Sequence, residues 1–247
     1  MRTICASVVT VILAAGGPAR ADAGWGSVFG YVDWTTDYRF FGLSESNRQP
    51  AVQGGLHWLG PANFYAGVFI SQVDFRDFRN TNIETDFYAG RHFLFDSNDL
   101  NVEALYGMYP DSAGHPSYAP PGVIAPTYNF IETSIELAHH FGALTVGGKF
   151  VFEPSFDRRK GRIESINGSA GYALTPWLSL SADAGRQWSS VMAERTYWDA
   201  GVTARYGWQW TFDLRYYGTD AGRANCYGMN WCAPALVARL TYNFQVL

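Results

Sequence analysis

The chain has 247 residues, of which 17% are aromatic and 16% are charged, and its formal net charge is −4. The charged share is well below the roughly 25% usual for soluble domains, and the negative charge excludes a nucleic-acid-binding protein, which needs a basic surface. Hydrophobic residues reach 47% although mean hydropathy is −0.12, which indicates that polar and apolar residues are interleaved.

The first residues have the features of a secretory signal peptide. A single arginine precedes an apolar run over 4–15, and residues 19–21 offer an Ala-x-Ala cleavage site, with residues 21–23 as the second choice. The run is too short to cross a bilayer as a helix, which takes about 20 residues. We therefore predict a cleaved signal peptide over 1–21 and a mature domain over 22–247.

In the mature domain, polar and apolar residues alternate with period two in stretches of about ten residues, as in outer-membrane strands. In residues 236–246 every even-numbered residue is apolar, and the odd-numbered ones include Arg239, Thr241 and Asn243. No run of 18 apolar residues follows the signal peptide, so the sequence predicts no helical membrane span. The predicted strands are 27–42, 50–59, 63–75, 83–95, 99–110, 128–141, 144–154, 162–174, 177–188, 197–208, 210–217 and 236–246.

The breaks between these strands are alternately short and long. Tight turns lie at 60–62, 96–98, 142–143, 175–176 and near 207–208, and the longer loops are 43–49, 76–82, 111–127, 155–161, 189–195 and 219–234. Bacterial barrels have short periplasmic turns and longer external loops, so both termini are predicted to be periplasmic. We predict an all-β, transmembrane, antiparallel up-and-down β-barrel of about twelve strands; ten or fourteen would also keep the even number.

A soluble β-sandwich would show similar alternation, but its outward faces would carry Lys, Glu and Thr. Here the apolar faces end in large rings, which a membrane–water interface favours. These rings belong to Trp34, Trp58, Phe75, Trp188, Trp198 and Trp210. We therefore predict that the barrel lies in the lipid of the bacterial outer membrane, assembled with the help of periplasmic chaperones and the barrel-assembly machinery.

The N-terminal hairpins contain two distinctive stretches. Residues 34–44 read Trp-Thr-Thr-Asp-Tyr-Arg-Phe-Phe-Gly-Leu-Ser, and residues 49–56 read Gln-Pro-Ala-Val-Gln-Gly-Gly-Leu. They resemble the TorF-type porin family, whose opening reads like T-S-D-Y-x-F-R-G-I-S, followed by P-A-x-Q-G-G. Phe41 stands where that family usually has Arg. The resemblance covers about residues 30–92 and implies an outer-membrane barrel with a pore.

Cys226 and Cys232 both fall in the last predicted loop of an exported chain. In an oxidising compartment a disulfide between them is the expected state, most simply a structural staple. Two thiols without a His or acidic neighbour make a poor metal site, so we predict no metal and no cofactor.

A lipid-modifying barrel enzyme is the rival class, and it would need a nucleophile, a His and an acid on one face. His139 and His140 are adjacent on a predicted strand and therefore point to opposite faces. The stretch 167–171, Asn-Gly-Ser-Ala-Gly, lacks the first Gly of G-x-S-x-G. We predict that the protein is not an enzyme.

Charged residues on the inward faces fall into two groups by strand. Acidic residues lie on the fourth to sixth predicted strands and arginines on the first and the last three, so the two groups should face each other. The predicted pore-lining residues are Arg39, Glu84, Asp86, Glu103, Glu132, Glu136, Arg205, Asp213, Arg215 and Arg239.

These residues predict a water-filled constriction with a transverse field, through which ions or small polar solutes diffuse passively. Because acidic residues outnumber basic ones, a mild cation preference is expected. The alternative is that they pair across neighbouring strands and plug the lumen of a structural or adhesive barrel. The proline-rich loop 111–127 is either a lid or a protease-resistant surface loop. Both a monomer and a trimer would show lipid-facing apolar bands, so the oligomeric state stays open.

Overall fold

The computed structural model describes residues 24–76, 80–112, 128–154, 161–190 and 193–247. These ranges contain fourteen strands. They are β1 (Ser27–Thr35), β2 (Arg39–Phe40), β3 (Leu43–Ser44), β4 (Ala51–Leu59), β5 (Phe64–Gln72), β6 (Ile83–Phe95), β7 (Asn98–Met108), β8 (Phe130–Phe141), β9 (Leu144–Glu153), β10 (Ile163–Thr175), β11 (Leu178–Ser189), β12 (Arg195–Tyr206), β13 (Trp210–Thr219) and β14 (Ala235–Gln245). All except the short β2 and β3 belong to one closed barrel.

Each barrel strand pairs antiparallel with its neighbours along the chain, and β1 also pairs with β14. This closing ladder joins Phe29–Thr35 to Arg239–Gln245. A closed ring has no edge strand, so neighbouring strands can pair the backbone groups of the wall, which a bilayer demands. The predicted fold class, with twelve strands in the barrel, is confirmed.

The connections differ in length at the two ends of the barrel. One end, here the turn end, has tight turns such as Gly142-Ala143, and the other, here the loop end, has the longer connections. Of the proline-rich loop, residues 113–127 lie outside the described residues, as does the predicted signal peptide over 1–21. Within the described ranges, no helix is long and apolar enough to cross a membrane.

The last connection at the loop end, residues 220–234, is here called the last loop. It contains two short 3-10 turns, Arg223–Cys226 and Asn230–Cys232. The predicted disulfide between Cys226 and Cys232 is present and joins Cα atoms 6.1 Å apart. It links the two turns and limits the shapes that the last loop can adopt.

The outward face of the barrel carries the apolar side chains. Trp34 is 49% exposed, and Trp198 and Trp210 are each 40% exposed. Residues of opposite parity, such as Asp33 and Thr35, are buried inside. Exposed tryptophans on the outward face suit a lipid boundary.

Phe75, predicted to lie on the outward apolar face, is the exception, and that prediction is wrong. Its ring packs against Tyr109 and Tyr128, with centroids 5.5 and 5.8 Å away. Residue 75 shares the parity of the buried residues Phe69 and Val73, so its side chain turns inward. An aromatic residue at a strand end does not by itself reveal its face.

The first predicted strand, 27–42, is too long. β1 leaves the barrel wall after Thr35, and the chain enters the β2–β3 hairpin. Its two turn residues, Phe41 and Gly42, have φ angles of +43° and +78°, the left-handed region that tight hairpin turns use. The alternating pattern continues through this hairpin, so periodicity does not show where the strand leaves the wall.

Replacing Gly42 with Ala is expected to loosen this hairpin. A Cβ atom there would lie 2.7 Å from the carbonyl oxygen of Gly218 and 3.0 Å from the Cβ of Thr219. Gly142 is the matched control, because its φ of +63° carries the same backbone strain of about 1–2 kcal/mol while nothing lies within 4 Å. In folded barrels, trypsin should cleave after Arg39 in G42A and not in G142A. Equal cleavage of the two variants would contradict the steric argument.

Candidate functional site

Part of the chain folds into the lumen at the loop end. Residues 36–50, here called the inner loop, connect β1 to β4 and contain the β2–β3 hairpin. The ring of Tyr38 lies 6.2 Å from that of Phe69 on β5, and the ring of Phe41 lies 4.8 Å from that of Tyr197 on β12. Because β5 and β12 are five strands apart in the ring, the inner loop reaches from one wall to another.

Asp37 maintains the shape of the inner loop. Its Oδ1 accepts hydrogen bonds from the hydroxyls of Ser44 at 2.6 Å and Ser46 at 3.3 Å. Its Oδ2 accepts one from Nε of Arg39 at 2.7 Å, and both members of this ion pair are buried. The polar residues of the stretch that resembles the TorF-type opening therefore build the inner loop.

Arg39 joins the inner loop to the last loop. Its Nη1 donates to the carbonyl oxygens of Gly42 at 3.0 Å, Trp231 at 3.1 Å and Ala233 at 2.9 Å. Burial lowers the pKa of the Arg39 guanidinium, and the carboxylate of Asp37 opposes that shift. A guanidinium stays charged in proteins, so these contacts persist at neutral pH. The predicted pore residue Arg39 thus lies on the inner loop and not on the barrel wall.

Five of the six acidic residues predicted for the lumen, all except Asp213, lie at inward positions of β6, β7 and β8. Four of them are almost fully buried, with exposed fractions of 0%, 1%, 4% and 1% for Glu84, Asp86, Glu103 and Glu132 respectively. The hydroxyl of Tyr109 donates to Oε1 of Glu84 at 3.0 Å, and that of Tyr65 donates to Oε2 of Glu103 at 3.0 Å. These carboxylates are therefore part of a packed interior.

Aromatic rings fill the lumen beside this acidic wall, at the inward positions of β4 to β6. The rings of His57 and Tyr65 have centroids 5.4 Å apart, and those of Tyr65 and His92 are 5.2 Å apart. Nδ1 of His57 lies 3.1 Å from the hydroxyl oxygen of Tyr88. All four side chains are buried, so this side of the lumen is occupied by protein.

Arg215 is the centre of a charged cluster on the other side, since β13 is six strands from β7 in the ring. Its Nη2 donates to Oγ of Ser181 at 2.7 Å and to Oδ2 of Asp213 at 3.2 Å, and its Nη1 pairs with Asp199. Asp183 faces Asp199 directly across the β11–β12 ladder and is also attracted by Arg215. One guanidinium thus lies among carboxylates from three strands.

The other predicted lumen residues occupy single ladder positions. Arg239 faces Asp213 across the β13–β14 ladder, and Arg205 faces Thr211 across the β12–β13 ladder. Glu136 is half-buried and faces Lys149 across the β8–β9 ladder.

A set of polar inward residues on β9 to β14 remains partly exposed, whereas most inward residues of β4 to β7 are buried. This polar surface is here called the open wall. It comprises Thr145, Asn167, Ser169, Ser179, Ser181, Asp183, Asp199, Thr203, Arg205, Asp213, Arg215 and Arg239. Closer to the loop end, inward residues of β9 to β12 such as Val151, Ser165 and Tyr197 are buried as well. The accessible part of the lumen is therefore off-centre.

The predicted set of lumen residues omits Asp183 and Asp199. Both alternate with small or apolar outward residues, so counting by twos along their strands identifies them as inward. In the described ranges, no group of three His, Cys, Asp or Glu side chains is arranged to hold a metal ion.

Solved structures of a porin share this fold. One described as "KdgM porin" superposes with a TM-score of 0.55 at 8% identity, covering 90% of this chain and 99% of that chain. Another, "KdgM porin in complex with disordered oligogalacturonate", gives a TM-score of 0.56 at 8% identity with the same coverage. Identity this low shows a common fold alone.

The comparison with curated proteins finds no match. The model of the family described as "Bacterial protein of unknown function (Gcw_chp)" matches residues 19–244, and no finding carries the TorF name. Since the match spans every strand of the barrel except the final residue of β14, the chain belongs to the Gcw_chp family.

Proposed function

We propose that this chain is a porin-like channel of the bacterial outer membrane, through which ions or small polar solutes diffuse passively. The observation that carries the proposal is the open wall, a set of polar and charged side chains on β9 to β14 that stay partly exposed inside a closed barrel. Burial of unpaired polar groups is costly, so such a surface favours water or polar solutes over apolar ones.

The outer-membrane location is supported by three observations. The barrel has an apolar outward face with exposed tryptophans, it shares its fold with a porin, and its opening resembles the TorF-type porins. With that location we also propose the cleaved signal peptide over 1–21, a periplasmic turn end, and biogenesis by periplasmic chaperones and the barrel-assembly machinery.

The size of the ring limits what passes. Twelve strands about 4.8 Å apart at a tilt near 40° give a backbone diameter of about 24 Å. The inner loop and the rings beside β4 to β6 occupy part of that width, so the passage runs along the open wall. It admits ions and small solutes and excludes folded proteins, and we assign the chain no enzymatic activity.

The predicted lumen residues take two roles in this proposal. Arg205, Asp213, Arg215 and Arg239 contact the passing solute from the open wall, while the buried acidic residues of β6 to β8 add negative potential from the opposite side. The surplus of carboxylates over arginines gives the mild cation preference.

A plugged structural or adhesive barrel is the second candidate, and one observation favours it. The inner loop reaches across the loop end, and its residues Tyr38, Arg39, Phe40 and Phe41 are all almost fully buried. If the described part of the lumen has no continuous passage beside this loop, the barrel serves as a scaffold for its outer loops.

Conductance of the refolded full-length chain in a planar lipid bilayer separates these candidates. We expect discrete single-channel steps and a reversal potential that indicates mild cation preference in a KCl gradient. Absence of steps from a verified folded barrel would contradict the channel. Anion preference would contradict only the charge argument.

A further inference from the structure

The outward positions of the twelve barrel strands carry only three charged residues, which are Arg91, Glu164 and Arg186. Glu164 pairs with Arg162 at 3.3 Å, and Arg186 pairs with Glu194 at 3.0 Å, both at the loop end. Arg91 has no carboxylate partner in the described structure. A lone charge on a lipid-facing surface is unfavourable, and such residues usually have a function.

The position of Arg91 is defined by contacts at the turn end. Its guanidinium carbon lies 4.7 Å from the ring centroid of Phe64 and 4.6 Å from that of Phe93. Its Nε donates to the carbonyl oxygen of Ala62 at 3.2 Å, in the tight turn between β4 and β5. The side chain therefore extends along apolar surface and brings its charge to the level of the turns, as arginines do at a membrane interface.

A groove on the outward face begins at Arg91. It has a volume of about 970 Å³ and crosses β5 to β9. Ala66, Ala89 and Ala104, paired side by side on β5, β6 and β7, form its floor. Its walls are Phe64, Phe93, Ile135, Phe150 and Phe152. It is thus an apolar groove on the outer surface of the barrel. The guanidinium of Arg91, which has no carboxylate partner in the described structure, lies at one end of the groove.

We propose that this groove holds a glycerophospholipid of the inner leaflet, with one acyl chain in the groove and its phosphate on Arg91. A guanidinium matches a phosphate through two parallel hydrogen bonds, and Nη1 and Nη2 of Arg91 make none in the described structure. An anionic headgroup such as phosphatidylglycerol suits the site best, because in the described structure no outward-facing acidic side chain lines the groove to attract an amine, and Glu103 of its lining is buried on the inward face. The proposal rests on the outer-membrane location proposed above, since that location sets the leaflet.

A lipid suits this groove better than a second copy of the chain. The outward faces have no carboxylate that a neighbouring barrel could bring to Arg91, because Glu164 is already paired and lies at the loop end. A lipid phosphate supplies the missing negative charge at the correct height.

The test is native mass spectrometry of the full-length barrel, delipidated in detergent and then mixed with phosphatidylglycerol. We expect one retained lipid in the wild type and a severalfold loss in R91Q, which removes the charge but keeps a polar side chain. A104L fills the groove floor without touching the charge and should reduce retention to a similar extent.

R186A is the matched control, because Arg186 is also an outward arginine beside a ring, 6.0 Å from that of Trp188, but has a carboxylate partner. It should retain lipid as the wild type does. Equal retention by R91Q and wild type, or equal loss in R186A, would overturn the proposal. So would a shift from dimer to monomer in A104L without any lipid signal, which would make the groove a protein interface. Lipid retention by a barrel that shows no conductance would refute only the channel.

Discussion

Replacing Arg39 with Ala is expected to increase single-channel conductance severalfold. The guanidinium connects the inner loop to Trp231 and Ala233 of the last loop and neutralises Asp37. Removing one partner of a buried ion pair costs about 3–5 kcal/mol. This loss of stability should weaken the docking of the inner loop and not the barrel, because the twelve-strand ring closes without any strand of that loop. The loop should then leave the lumen, which a bilayer recording detects as larger current steps.

Arg48 provides the matched control for this experiment. Its Nη1 also donates to the carbonyl oxygen of Ala233, at 2.9 Å, but its side chain is exposed to solvent and has no buried carboxylate to neutralise. R48A should therefore conduct like the wild type. Heat-modifiable migration on gels establishes that each barrel is folded. If R39A and R48A both conduct like the wild type, the inner loop does not form the constriction.

Replacing Arg215 with Ala should raise the cation-to-anion permeability ratio severalfold. The substitution leaves Asp199 and Asp213 without their ion-pair partner and Asp183 without the cation that attracts it. Two unit charges 4 Å apart at an effective dielectric constant of about 20 interact by about 4 kcal/mol, so these carboxylates should strongly attract cations. Reversal potentials in KCl gradients measure the ratio. The increase should shrink at high salt, where the screening length falls to about 3 Å.

Two further variants distinguish the effect of breaking the ion pairs of Arg215 from the effect of removing one positive charge from the open wall. R215K keeps the positive charge but loses the several hydrogen bonds that the planar guanidinium donates. Its cation-to-anion permeability ratio should therefore stay near that of the wild type. R205A also removes one positive charge from the open wall but from a position without an ion pair in the described structure, so its effect should be smaller. A ratio in R215A that is unchanged, or shifted toward anions, would contradict the assignment of this cluster to the passage.

Much of the barrel is readable from the sequence because a strand in its wall has only two faces. The residues 236–246 alternate so regularly that both the strand β14 and the inward direction of Arg239 follow from counting by twos. The disulfide also follows from sequence, since Cys226 and Cys232 share one predicted loop of a chain that is predicted to be exported. Alternation and the lengths of the connections together predict about twelve strands and distinguish the two ends of the barrel, while the closed ring of the structure decides the number.

The contents of the lumen depend on contacts that alternation does not encode. The alternation of polar and apolar residues shows which face of the wall a residue occupies. Whether an inward residue is buried depends on which other segments of the chain fold into the lumen. The inner loop enters through bonds such as Arg39 to Trp231, which are 192 residues apart in sequence. For this reason the sequence places Glu84 and Arg215 equally on the inward face, whereas the tertiary structure buries Glu84 and leaves Arg215 on the open wall.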